Sequence, residues 1–283
     1  MWYMLPVRVQ VDCTDTIRKH QDTTAGSNQM DPFNYLHLES EGLDIRGSQI
    51  AVLFQYDSAK RATTTVSISL QDGRWSRVVE EPQKRISEQL ENGGLAHCEA
   101  DPFFIHVVFV TSALRWWRNA LDSFNNQLIA HEKRLQSEMG SLQSKTGDMN
   151  TEVSRALHTM AAHLHRYGSE LGWFEGIVAD LSAHHDRFFQ TQSGRANKAE
   201  TSAGQRLSVG LVHIAAQLKA VNTFRQELQY KTQNILALVS NDKMVVELLN
   251  ASREEAELSR RIADQSQQIA LEMQEDSISM KTV

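Results

Sequence analysis

Residues 149–191, MNTEVSRALHTMAAHLHRYGSELGWFEGIVADLSAHHDRFFQT, decide the reading of this chain. Their apolar seam is Val153, Leu157, Met160, Leu164, Tyr167, Leu171, Phe174, Val178, Leu181 and Phe188, in steps of three and four that only His185 breaks. A stripe held for about five heptads predicts a helix that packs lengthwise against another long helix. Partners lie on both sides. Upstream, Asp101-Pro102 is a start signal, with Asp accepting free amides as N-cap and Pro pre-set for the first helical position. That helix is expected to run to about Met139 and stop at Gly140-Ser141. Downstream, Gln192 to Gly204 is rich in Ser, Gly, Asn and Thr and reads as a loop, with Ser202 and Gln205 as a capping box for the next helix.

This last helix has no stop signal before Val283. Leu207, Leu211, Ile214, Leu218, Val221, Leu228, Ile235 and Val239 form a core stripe, which thins past Asn241-Asp242 to smaller residues such as Ser252, Ala256, Ser259 and Ser266. Roughly 80 residues at about 1.5 Å each make a rod on the order of 120 Å, longer than the other two helices can cover. The reading is therefore a protruding stalk whose small-residue seam is buried by copies of itself. From Asp242 onward nine acidic residues face five basic ones, as on a solvated coiled-coil flank.

The first hundred residues have a different period. Residues 14–32 read as a loop. Ile50 to Tyr56 is a strand candidate, and Thr63 to Leu70 alternates, with Val66, Ile68 and Leu70 on one face and Thr65, Ser67 and Ser69 on the other. Asp57 to Arg61 makes a hairpin turn between them, and a short helix follows over about Gln83 to Leu90, ending at Gly93-Gly94. The predicted fold class is α+β in three segments: a small mixed α/β unit over 1–100, two long packing helices over 101–200, and a stalk helix over 201–283.

Composition agrees. Of 283 residues 41% are hydrophobic and only 4 are Pro, which excludes disorder as the main description and favours long uninterrupted elements. The longest nearly apolar stretch, Phe103 to Val110, is far short of the roughly twenty residues of a spanning helix. A net charge of −6 gives no basic footprint for nucleic acid. Cys13 and Cys98 are too few for a disulfide framework and suit a reducing compartment. The N-terminus lacks the pattern of a secretory signal, so the chain reads as cytoplasmic.

Chemistry-bearing motifs are sparse. His158, His163, His165, His184 and His185 cluster, but no pair has the i, i+3 or i, i+4 spacing of helical metal ligands; His185, in the seam, reads as a hydrogen-bonded core histidine. Trp116-Trp117, between Arg115 and Arg118, reads as core packing rather than a cation–π patch. No phosphate loop, nucleophile elbow or placed Cys–His pair occurs, so nothing argues for an enzyme.

Two stretches carry a family resemblance. Arg260-Arg261-Ile262-Ala263 with Asp276-Ser277-Ile278-Ser279-Met280-Lys281-Thr282-Val283 resembles the segment before the first membrane helix of fungal CorA-like magnesium transporters. Asp101-Pro102-Phe103-Phe104-Ile105-His106 with Trp116-Trp117, and the order of elements, are similar as well. The resemblance covers about residues 30 to 283. It implies the cytosolic sensing and gating domain of a divalent-cation transporter, a homopentamer, with Mg²⁺ as regulatory or transported ion. The family's two membrane helices and Gly-Met-Asn signature are missing from this sequence; Gly147-Asp148-Met149-Asn150 has an extra Asp and is expected in an interhelical loop. The resemblance thus implies a parent membrane protein, cut where its membrane helix begins, and a chain that conducts no ions alone. On this reading Ile269, Met273, Asp276, Met280 and Val283 form a pore-mouth face. Asp276, its only charge, either completes an acidic ring that concentrates cations or faces solvent on a terminal turn. No residue is assigned to a regulatory metal site. The alternative is a soluble helical scaffold that oligomerises through its C-terminal coiled coil.

Overall fold

The computed structural model describes residues 1–12, 35–60, 62–69, 76–91, 101–139, 146–192 and 198–281, as backbone alone at 76–77, 138–139, 146–150, 192, 198–203, 241–250, 253, 256, 258–259 and 262–281. The elements are β1 (Trp2–Asp12), β2 (Tyr35–Leu38), β3 (Leu43–Asp57), β4 (Ala62–Ser69), a π-helical turn (Ser76–Glu80), α1 (Glu81–Gln89), α2 (Phe104–Met139), α3 (Thr146–Gln192) and α4 (Lys198–Lys281). The architecture is mixed α+β: an antiparallel sheet first, helices after it. Two compact units divide the chain, Met1–Gln233 and Asn234–Val283. The sheet and α1 to α3 belong to the first; the second is the remainder of α4.

β3 organises the sheet. One edge pairs with β1 from Trp2↔Leu53 to Asp12↔Leu43. Its other edge is shared, with β2 at Leu43–Arg46 and β4 at Ile50–Asp57. Both hairpins have local causes. Between β2 and β3, Gly42 takes φ of 62°, a left-handed conformation that a side chain would strain. Between β3 and β4, Asp57 Oδ1 accepts the amides of Ala59 (3.0 Å) and Lys60 (3.2 Å), an Asx turn that puts this Asp at the start of the predicted hairpin.

Tyr3, Leu5, Val7 and Val9 of β1 and Ile50, Val52 and Phe54 of β3 are buried alternate positions. β4 inverts the usual sense of alternation. Its Ser67 is buried and accepts a 2.8 Å bond from Gln83 Nε2, while Val66 and Ile68 are 45% and 49% exposed. Val66 pairs with Leu53, which pairs with Trp2, so this cross-strand row lies open.

The helical part follows the seams. In α3, Val153, Leu157, Met160, Leu164, Tyr167, Leu171, Phe174, Val178 and Leu181 are all buried. α4 answers with Leu211, Ile214, Leu218, Val221 and Leu228, and Asn222 Nδ2 donates to Glu175 Oε1 at 3.1 Å. From α2, Trp117 is fully buried, stands edge-on to Tyr167 with centroids 5.5 Å apart, and donates Nε1–H to the Pro6 carbonyl at 3.0 Å. Trp116 is buried as well, so both indoles serve packing.

Three placements differ from expectation. β1 forms a full strand where none was predicted: Val7, Val9 and Val11 carry the period, with Pro6, Arg8 and Gln10 at the intervening positions. α3 begins at Thr146, so Gly147 to Asn150 lie in its first turn rather than in a loop. α4 begins at Lys198, ahead of the capping box that Ser202 and Gln205 suggested, because Lys198-Ala199-Glu200 are good helix formers. Cys13, Cys98 and the loop expected over 14–32 lie outside the described residues.

Candidate functional site

Of the predicted pore-mouth face, Ile269, Met273, Asp276 and Met280 fall within the helical backbone of α4, and their side chains lie outside the described residues, as does Val283. Among the described residues no group of three or more His, Cys, Asp or Glu is placed to hold a metal ion, and no helix is long and apolar enough to cross a membrane. The clustered histidines do not converge. His158, His165 and His184 are exposed, whereas His163 and His185 are buried.

What the first unit does bring together is a set of buried polar links between sheet and helices. Arg8 is 2% exposed, held in the apolar alternation of β1. Its Nε donates to Glu170 Oε2 at 2.8 Å and a terminal nitrogen donates to Oε1, a bidentate fork, with the guanidinium 4.7 Å from the Tyr167 ring centroid. Arg166 donates to the same Glu170 at 3.1 Å. Burial pushes the Tyr167 hydroxyl pKa up, against the pull of Arg8.

A second link joins the start of α2 to α3. Asp101 Oδ1 accepts the Phe103 amide at 3.0 Å, in a turn just ahead of α2, which begins at Phe104 rather than at Pro102 as predicted, and Oδ2 accepts from His185 Nε2 at 2.8 Å. His185 is thus the hydrogen-bonded core histidine that its seam position suggested. A third link is on the sheet: the Tyr3 hydroxyl donates to His106 Nδ1 at 3.0 Å. The ring of Phe103 lies between the two histidines, with centroids 5.4 Å from each. Burial drives the His106 pKa down to about 3, and the N-terminal amine and His184 add to it. Burial also raises Tyr3, so this pair stays neutral across ordinary pH.

These links tie β1 and the start of α2 to α3. Asp101 and His185 are both buried. Arg8–Glu170 and Asp101–His185 grip α3 at points 15 residues of helix apart by sequence number, about 22 Å at the usual rise. Sequence reasoning found Asp101 and His185 separately but not their pairing. It passed over Arg8, whose signal was a lone cation between Val7 and Val9. No protein-family model matches this chain, and no curated protein matches it.

Proposed function

We propose that this chain is the cytosolic sensing and gating part of a CorA-like divalent-cation transporter. The observation that supports the reading is the order and length of the elements: a four-stranded sheet, then helices of 36, 47 and 84 residues. Such an order suits a funnel wall whose last helix is a stalk toward the membrane. The buried links from β1 and from the start of α2 to α3 would let a change at the sheet move the helices as a body.

On this proposal five copies assemble, Mg²⁺ at acidic surfaces between them holds the closed state, and Asp276 with Ile269, Met273, Met280 and Val283 lines the pore mouth. An acidic ring there raises local cation concentration by a field effect. The mass of the chain in solution, with and without Mg²⁺, tests the reading. Pentamers that form or tighten with Mg²⁺ support it; a monomer or dimer indifferent to the metal overturns it in favour of a helical scaffold. In a full-length parent, Asp276→Asn should reduce Mg²⁺ flux, and unchanged flux would remove Asp276 from the pore.

A further inference from the structure

Where α1, the first turns of α2 and the start of α4 meet, the first unit has an open cleft of about 570 Å³. Its floor is apolar: Phe104, Val107 and Val108, at i, i+3 and i+4 on one face of α2, with Leu207 of α4 opposite. Two arginines complete the lining, Arg85 from α1 and Arg206 from α4. Arg85 is aimed by a 2.6 Å bond to Ser112 Oγ, which occupies one terminal nitrogen and leaves the rest of the fork. Among the described residues Arg206 meets no carboxylate within ion-pair distance. The one acid in the lining, Asp101, has both oxygens engaged, one by the Phe103 amide and one by His185. Among the described lining residues charge is therefore net positive, beside an apolar surface. Room remains beside Gly210, where an added Cβ would meet no atom within 4 Å.

We propose that this cleft binds a small amphipathic anion, with a carboxylate or phosphate head on the two arginines and an aliphatic or aromatic body on the α2 face. Size fits: small-molecule sites run from roughly 300 to 1,000 Å³ and combine an apolar lining with a few convergent polar groups. Planar guanidinium forks match carboxylate and phosphate oxygens two at a time. The geometry selects against cations and against anions with no apolar body.

Calorimetric titration of the intact chain tests this with three probes: decanoate, acetate and decyltrimethylammonium. Decanoate should bind at least about tenfold more tightly than acetate, since each buried methylene adds to affinity, and decyltrimethylammonium should not bind measurably. Arg206→Gln, an exposed position, should weaken decanoate at least about tenfold, as loss of a charge-assisted pair does, with the melting temperature unchanged. Gly210→Leu provides a second arm: it has space for its side chain, removes a helical glycine and fills the cleft, so it should fold and lose decanoate binding. Equal binding of decanoate and the cationic detergent, or unchanged decanoate affinity in both variants, overturns the proposal.

Discussion

Arg8 on β1 and Glu170 on α3, 162 residues apart in sequence, are joined by two N–H···O bonds with the arginine almost wholly buried. Removing Arg8 takes two hydrogen bonds from a largely buried Glu170 and leaves it Arg166 as a cationic partner. Arg8→Ala is expected to destabilise the fold by about 3 kcal/mol, read as a fall in urea midpoint. Arg8→Lys keeps the charge and loses the fork, so its loss should be smaller but clear. A change under about 1 kcal/mol in Arg8→Ala would mean that the pair is not formed in solution.

Asp101 does two jobs, and substitutions separate them. Asp101→Ala loses the bond to the Phe103 amide ahead of α2 and leaves His185 without its acceptor, a combined cost of about 2–4 kcal/mol. Asp101→Asn keeps an oxygen for that amide and should retain a good part of that stability. Thermal melts of the two variants decide; equal losses would show that the His185 contact outweighs the amide bond.

Acid should destabilise the chain through His106. Its folded pKa is held near 3, below the ordinary 6.5, so between these values the unfolded chain binds a proton that the folded chain refuses. Stability is intact above about pH 6.5 and falls as pH drops toward 3, by at most about 1.4 kcal/mol per pH unit from this one group. His131, also pushed down by burial, adds in the same sense. Comparing denaturation at pH 7.5 and 5.0 should show a shallower loss in His106→Gln than in the parent. Parallel losses would exclude His106 as the source.

The helical glycines predict opposite signs for one substitution. A Cβ at Gly204 would run into the Phe189 ring, where α4 meets α3, so Gly204→Ala should cost about 1–3 kcal/mol. Gly172 and Gly176 face open space on α3, and Ala there should stabilise by up to about 1 kcal/mol. Gly168 lies between, with Arg225 Cζ 3.2 Å from the position of its Cβ. Matching effects at 204 and 172 in thermal melts would break the close approach of the two helices.

The long helices were legible in the sequence because one side of each is buried for many turns, and their seams repeat from Val153 to Leu181 and from Leu211 to Leu228. The hairpin at Asp57 was legible because its side chain closes its own turn. β1 was missed although Val7, Val9 and Val11 alternate with Arg8 and Gln10; Pro6 in the run argues against a strand, and its carbonyl and Arg8 meet residues far away in sequence. The sense of β4 was equally hidden. Alternation names two faces but not which is covered, and here Gln83 and its helix sit over the polar one. For the candidate site, single residues were readable and their pairing was not: nothing in the sequence brings Asp101 to His185 across 84 positions.

The bond from Trp117 to Pro6 limits how copies of this chain can join. Among the described residues β1 pairs with β3 alone, which leaves it as a strand at the sheet's rim. A strand at a rim invites another to dock by backbone bonds. Pro6, midway along it, has no amide hydrogen to give, and its carbonyl is already taken by an indole. An incoming strand would meet neither donor nor acceptor at that step and would lose register there. Sheet extension from copy to copy is thereby discouraged along β1, the edge that Pro6 interrupts.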